Sequence, residues 1–271
     1  MPSASKVALV LGAIKGIGNA IGLDLLRRGI RVAATWHDWP ERLAAMQHVF
    51  ADTGTDHLIQ RIDLLDTDSI ASLLDGVLNR FGRLDILINN IERGGWPAVH
   101  GRYTRKQWDL EMATTLRAKQ WVLEAALPHL KSAGDGVVVN ISSIAGIIGR
   151  SGPASYLFNE GYSAANRGIA LLTETWARLG APQVRVNELM LGIVETRHGP
   201  GTRGWGLLNE AQRQAIVDHT LVARIGRVED VVRAVRFLLD ESPFMTGSVL
   251  RLDGGYTLGG ESVAPMPQGV V

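Results

Sequence analysis

The chain of 271 residues carries 28 basic and 27 acidic side chains, a formal charge of +1, with no basic stripe or block of like charges, so neither nucleic acid nor a membrane surface is indicated as a partner. It has no cysteine, which excludes disulfides, thiolate nucleophiles and cysteine-ligated metals, and its seven histidines are scattered without an HExxH-like pair, so no metal site is expected. No run reaches the roughly 18 uninterrupted apolar residues that cross a bilayer, and a soluble cytoplasmic protein is expected.

The opening "MPSASKVALVLG" has one Lys and an apolar run too short for a secretory core, and it leads straight into glycines; it reads as a first strand. Further strands are expected at 31–35, 57–62, 84–89, 136–142, 184–190 and 248–252, nearly all apolar on both faces, as a parallel sheet covered by helices requires. Helical periods fill the intervals: Ile17 to Arg28, Pro40 to Phe50, Thr67 to Phe81 with Asp66 and Thr67 as N-cap candidates, Thr104 to Lys131, Gly161 to Leu179 and Val228 to Leu239. Strands alternating with helices make βαβ units, so the fold class is α/β, a single-domain Rossmann fold with a doubly wound seven-stranded parallel sheet. Nothing breaks the alternation, and residues 1–271 read as one domain, with a dinucleotide-binding part at about 6–142 and a catalytic and substrate part at about 143–271. The longest irregular stretch, "ETRHGPGTRGWGLLNE" at 195–210, is placed as a lid over a ligand crevice.

Between the first strand and first helix, "VLGAIKGIGNAIG" sets Gly12, Gly16 and Gly18 in order. The first glycine permits a tight turn; the later ones let backbone N–H groups and the positive helix end approach a pyrophosphate. With "DLLD" at 63–66, "NNIE" at 89–92, "NISS" at 140–143, "YSAAN" at 162–166, "VRVNELMLG" at 184–192 and "LDGG" at 252–255, the chain resembles the short-chain dehydrogenase/reductase family over essentially its whole length.

That resemblance implies a nicotinamide cofactor lying along Gly12, Ile14, Lys15, Gly16, Ile17 and Gly18, with Trp36 and His37 at the end of strand two. It places Asp63 and Leu64 near the adenine, the Asn90 backbone near the adenosine ribose, and Val194 and Thr196 near the nicotinamide carboxamide. Asp63 has an alternative role as a cap of the following helix. An NAD site wants a carboxylate at the end of strand two for the ribose 2′-hydroxyl, whereas "AATWHDW" puts Trp36 there. Lys15 and His37, with Arg42 in reserve, suit a 2′-phosphate, so NADP(H) is expected over NAD(H); Asp38 argues the other way.

Two tyrosines compete for the catalytic position. Tyr156 follows Ser143 by 13 residues, the usual family separation, but its continuation "LFNEG" interrupts a helix; Tyr162 follows by 19 and carries the helical period, so Tyr162 is assigned and the loop 150–161 holds a six-residue insertion. A tyrosine hydroxyl, with an ordinary pKa near 10, needs a neighbouring cation to act at neutral pH. The family's Lys four residues on is Asn166 here, which can hydrogen-bond a ribose hydroxyl but carries no charge. Ser143 is expected to bond the substrate oxygen. Thr115 stands where the family has an Asn that holds a relay water, and Glu92 where it has a glycine. Lys119, one turn from Thr115, is either a relocated cation paired with Glu92 or an ordinary surface or subunit-interface lysine.

Three functions remain: an NADP(H)-dependent oxidoreductase acting on a carbonyl or alcohol with a non-standard relay, a nucleotide-binding pseudoenzyme or regulatory subunit, and an isomerase, lyase or double-bond reductase on the same fold. The 144–161 insertion, Trp96 with Pro97, and the 195–210 loop with Trp205 are expected to bound the pocket, and the two tryptophans favour a flat or apolar substrate. A homodimer or homotetramer through the 104–131 and tyrosine helices is what the resemblance implies.

Overall fold

The apolar runs of the sequence become the strands of one parallel sheet. The computed structural model describes residues 5–91, 104–196, 205–261, 263–266 and 269. In chain order the elements are β1 (Val7–Val10), α1 (Gly16–Arg27), β2 (Arg31–Trp36), α2 (Leu43–Ala51), β3 (His57–Arg61), α3 (Ser69–Phe81), β4 (Ile86–Asn89), α4 (Arg105–Glu111), α5 (Ala118–Ser132), β5 (Gly136–Ser143), α6 (Ala145–Ile148), α7 (Glu160–Gly180), β6 (Val184–Leu191), α8 (Glu210–His219), α9 (Val228–Arg236) and β7 (Val249–Leu252). The sheet order is β3-β2-β1-β4-β5-β6-β7, so the winding reverses between β1 and β4. That reversal opens a crevice beyond the carboxyl ends of the strands.

Each sheet face has its own core. Alternate residues of β1 and β4 (Ala8, Val10, Ile86, Ile88) face α1, α2 and α9 with Ile21, Leu25, Phe50 and Val235. The others (Val7, Leu9, Leu87) meet α3, α5 and α7 through Leu73, Val77, Val122, Leu130 and Trp176. A third, smaller cluster beyond the carboxyl ends joins Ile144, Ala154, Phe158, Tyr162, Met190, Leu208, Ile216 and Tyr256. Among the described residues, no helix is long and apolar enough to cross a membrane.

Three expectations about elements are corrected. The helix expected over 104–131 is interrupted by a π-helical segment, Met112–Arg117. Thr114 Oγ1 donates to the Leu110 carbonyl at 2.8 Å, competing with the backbone ladder where the turn widens. α3 starts at Ser69, and Asp66 and Thr67 do not cap it; the Asp66 carboxylate instead accepts from the Asp68 N–H at 3.1 Å in a local turn. α8 was not expected at all, because Ile216 is its single buried residue and the apolar period is nearly absent. Its capping box was legible: Asn209 Oδ1 accepts from the Gln212 N–H at 2.9 Å, and Gln212 Oε1 accepts from the Asn209 N–H at 3.0 Å.

Candidate active site

One cleft of about 320 Å³ lies over the carboxyl ends of the strands. The sequence dictates its floor. Gly12 and Gly16 take φ of +66° and +59°, open to glycine without strain, and a Cβ on Gly12 would press on the Asn90 carbonyl. Asn90 Nδ2 donates to the carbonyls of Leu11 and Gly12, both at 3.3 Å, tying β4 to the glycine turn. α1 begins at Gly16 with no side-chain cap and no acidic residue in its first turn. Its first N–H groups and positive end therefore suit an anion, and the cradle fits the pyrophosphate of a dinucleotide.

Of the sequence-predicted site residues, Gly12, Ile14, Lys15, Gly16, Ile17, Trp36, His37, Asp63, Leu64, Asn90, Ser143, Tyr162, Val194 and Thr196 share the cleft wall, whereas Gly18, Thr115 and Asn166 are not on it. Gly18 faces inward, where a Cβ would strike the Gly12 carbonyl, so it brings helix and strand together instead of lining the ligand's path. Thr115 is fully buried within the π segment, and Thr114 lies on the wall beside it. Asn166 is 1% exposed, and its Nδ2 donates to the Tyr162 carbonyl at 2.9 Å. Asn166 Oδ1 and Thr115 Oγ1 have no hydrogen-bond partner among the described residues. Glu92, Trp96 and Pro97 lie outside the described residues.

At one end of the cleft, cations stack around the strand-two terminus. Lys15 Nζ sits 3.1 Å from the centroid of the Trp39 ring, and the Arg61 guanidinium 5.6 Å from that of Trp36. His37 Nδ1 meets the Ile62 carbonyl at 3.1 Å, which only accepts, so that nitrogen carries the hydrogen. Its Nε2 lies 3.7 Å from Asp38 and 3.9 Å from Asp63. Asp63 Oδ1 also accepts from the Leu65 N–H at 3.0 Å, a local turn and not a helix cap. Arg42, the reserve cation, is exposed and off the wall.

At the other end, Tyr162 and Ser143 converge. Ser143 closes β5, 5% exposed, and its Oγ accepts from the Ala145 N–H at 3.2 Å. Tyr162, 8% exposed, stacks on Phe158 with ring centroids 6.1 Å apart. Tyr156 is 45% exposed and outside the cleft wall. The start of α7 is fixed by Asn159, whose Oδ1 accepts from the Tyr162 N–H at 2.7 Å and whose Nδ2 donates to the buried Glu111 carboxylate at 2.8 Å. Sequence reading missed this brace, although an Asn three residues ahead of Tyr162 is an N-cap signal. It also missed Thr114 on the wall; Leu157 and Phe158, within the insertion expected to bound the pocket, and Trp205, which it named, are there.

Beneath the end of the cleft lined by Ser143 and Tyr162 runs a polar row. Asn89, Asn140 and Glu188 stand opposite one another on β4, β5 and β6, all fully buried. Asn89 Nδ2 donates to Asn140 Oδ1 at 3.3 Å and to the Lys119 carbonyl at 3.4 Å; Asn140 Nδ2 donates to Thr173 Oγ1 at 3.0 Å. Lys119 is 1% exposed, neither a surface nor an interface lysine, and its ammonium donates to the Ile141 carbonyl. Ser142, on the cleft wall, donates its hydroxyl to Glu188. Burial pushes the Lys119 ammonium down to about 7, with the Glu188 charge resisting the fall. Burial pushes the Glu188 carboxyl up, against the pull of the Ser142 hydroxyl, Lys119 and Arg167.

Residues 12–257 match the family model described as enoyl-(acyl carrier protein) reductase. The chain is 34% identical over 256 residues to a cis-4-hydroxycyclohexanecarboxylate dehydrogenase of Sinomonas cyclohexanicum, covering 94% of this chain and 97% of that one. It is 30% identical over 258 residues to a 3-oxoacyl-[acyl-carrier-protein] reductase of Thermotoga maritima, covering 93% and 98%. A solved structure from Sinorhizobium meliloti, described as a short-chain alcohol dehydrogenase, superposes with a TM-score of 0.81 at 26% identity over 94% of this chain and 98% of that one. With the seven-stranded parallel sheet and the glycine cradle, these matches place the chain in the short-chain dehydrogenase/reductase family of oxidoreductases.

Proposed function

We propose that the protein is an NADP(H)-dependent oxidoreductase that interconverts a carbonyl and an alcohol on a small, largely apolar substrate. One observation carries this reading: Tyr162 and Ser143 face the same cleft as the glycine cradle, while the competing Tyr156 lies outside it. When bound there, the cofactor supplies or accepts the hydride. The chain's own part is to hold the substrate oxygen through the Ser143 hydroxyl and to pass the proton through the Tyr162 hydroxyl. Leu157, Phe158, Ile193 and Trp205 give that end an apolar wall, which suits a cyclic or aromatic ketone and excludes water from the reacting carbon. The S. cyclohexanicum dehydrogenase is named for a ring alcohol that also bears a carboxylate, which supports the cyclic part of this class.

The NADP(H) preference rests on Trp36 in place of a carboxylate, and on Lys15, Arg61 and His37 gathered round the strand-two terminus. Asp38 and Asp63 near His37 Nε2 favour NAD(H) instead. A second reading, a nucleotide-binding protein without turnover, is favoured by Asn166, which lies off the wall and spends its Nδ2 on the Tyr162 carbonyl. Assembly as a homodimer or homotetramer is part of the proposal, supported by exposed Trp108 and Trp121 on α4 and α5 and Leu171 on α7.

The test is titration with NADPH and NADH, followed by turnover on a panel of apolar cyclic ketones by wild type, Tyr162→Phe and Tyr156→Phe. Tighter binding of NADPH is expected, with a loss of about 10²-fold or more in kcat for Tyr162→Phe and near-normal turnover for Tyr156→Phe. Damage confined to Tyr156→Phe would overturn the assignment; binding without turnover by wild type would establish the second reading.

A further inference from the structure

The Lys119–Glu188 pair lies outside the reacting groups yet touches the strand that presents them. Positions facing α5 and α7 elsewhere on these strands are apolar, Leu87, Val138 and Val186 among them, and apolar residues at the two charged positions would meet the same packing need. The two charges instead grip one short segment from its two flanks. Lys119, on α5, donates to the Ile141 carbonyl; Glu188, on β6, accepts from the Ser142 hydroxyl. The next residue is Ser143. Ser142 itself lines the cleft, so the grip reaches the wall of the site.

We propose that Lys119 and Glu188 are positioning residues for the reaction: together they clamp the end of β5 so that Ser143 and the cleft face of Ser142 hold a fixed place opposite Tyr162. The clamp needs both charges. An ammonium makes a stronger bond to a carbonyl than a neutral amine, and a carboxylate a stronger one to a hydroxyl than a carboxylic acid. The charged groups acting on it are Glu188 and Lys119 themselves and Arg167 of α7, which acts on Glu188; the polar residues described above on β4 and β5, Asn89, Asn140 and Ser142, are neutral. With the Lys119 ammonium held near 7, the clamp loosens as the pH rises past neutrality.

The inference rests on Ser143 and Tyr162 being the reacting groups, and the experiment separates the two claims. Lys119→Met, Glu188→Gln and the double variant are compared with wild type for thermal stability, cofactor Kd, and kcat and KM on the ketone that wild type turns over. Each single variant leaves one charge buried without its counterpart and is expected to melt earlier. The double variant removes both charges, and its melting temperature is expected to return towards that of wild type. A merely structural pair would let kcat recover with it. The clamp predicts a double variant with kcat down by about tenfold or more and cofactor Kd within about twofold of wild type. The ratio of wild-type to double-variant kcat is also expected to fall as the pH rises from about 6 to about 9, through the Lys119 value.

Recovery of kcat within about twofold, or a ratio flat across that range, overturns the proposal. If the double variant does not fold, Ser142→Ala takes its place: it cuts the Glu188 arm at the cleft wall and is expected to lower kcat with little change in cofactor Kd, and an unchanged kcat overturns the clamp. A clamp result with an active Tyr162→Phe enzyme would overturn the site assignment alone. Wild-type protein that binds cofactor and turns over no ketone overturns both.

Discussion

Asn166 is the single residue on which the proposed chemistry turns. It stands one helical turn from Tyr162, within α7, and offers an amide where a cation would serve. Its Oδ1 is buried with no partner among the described residues, a desolvation penalty of order 1–3 kcal/mol that a water or a charged side chain would relieve. Asn166→Lys is expected to raise alcohol oxidation at neutral pH by about tenfold or more, since an ammonium there favours the tyrosinate. Steady-state rates near pH 7 decide this, and an unchanged or lower rate would mean that a cation at this place is not what limits turnover. Residue identity was legible where the signal is local: the Tyr162 helix announced itself by its apolar period and the glycines by their spacing. Glu188 did not, because "VRVNELM" reads as a strand apolar on both faces and only the three-dimensional alignment with Asn89 and Asn140 reveals a polar layer. Lys119 was noticed for its place one turn from Thr115, but its partner is the Glu188 charge, 69 positions along the chain and out of reach of any local pattern.

Elements, in turn, deliver these residues through their ends and irregularities. α7 could start anywhere within a stretch that contains Gly152, Pro153 and Gly161; Asn159 fixes it, capping the helix while braced by Glu111 of α4. Asn159→Ala removes both bonds, and a loss of about 0.5–2 kcal/mol in stability is expected from the cap alone. Because the cap holds the Tyr162 N–H itself, kcat is expected to fall as well, whereas Asn159→Asp retains the cap acceptor and sets a carboxylate against Glu111. Denaturant unfolding together with kcat of the two variants checks this, and an Asn159→Ala enzyme of wild-type stability would remove the brace from the account. Thr114, and not Thr115, reaches the wall from the π segment of residues 112–117. An extra residue in a helical turn leaves no compositional trace beyond the paired threonines. α8 escaped for the opposite reason: its signal is in the polar cap, not in an apolar stripe.

Across the whole molecule, the sheet order alone locates the cleft, since the reversal between β1 and β4 leaves a crevice that no helix fills. This was the most legible level, because seven apolar runs alternating with six helical periods leave few other topologies. The surface was the least legible. Trp121 at 41% exposure and Leu171 at 68% stand on α5 and α7, the helices expected to pair between subunits. Trp121→Glu and Leu171→Glu are expected to shift the protein towards monomer, as read by sedimentation velocity, with the single-chain fold retained by circular dichroism. A wild-type protein that sediments as a monomer at micromolar concentration would remove the assembly from the proposal.

The buried row Asn89–Asn140–Glu188 also bears on how the chain finds its fold. In strands made of Val, Ile and Leu on both faces, a two-residue slip preserves the inward and outward pattern. The row abolishes that degeneracy. A shifted β5 would strand Asn140 away from both Asn89 and Thr173, and a shifted β6 would leave Glu188 without Ser142, each misplacement leaving uncompensated polar groups in the core. Three polar side chains thus favour one register of the central strands, the one in which these hydrogen bonds form.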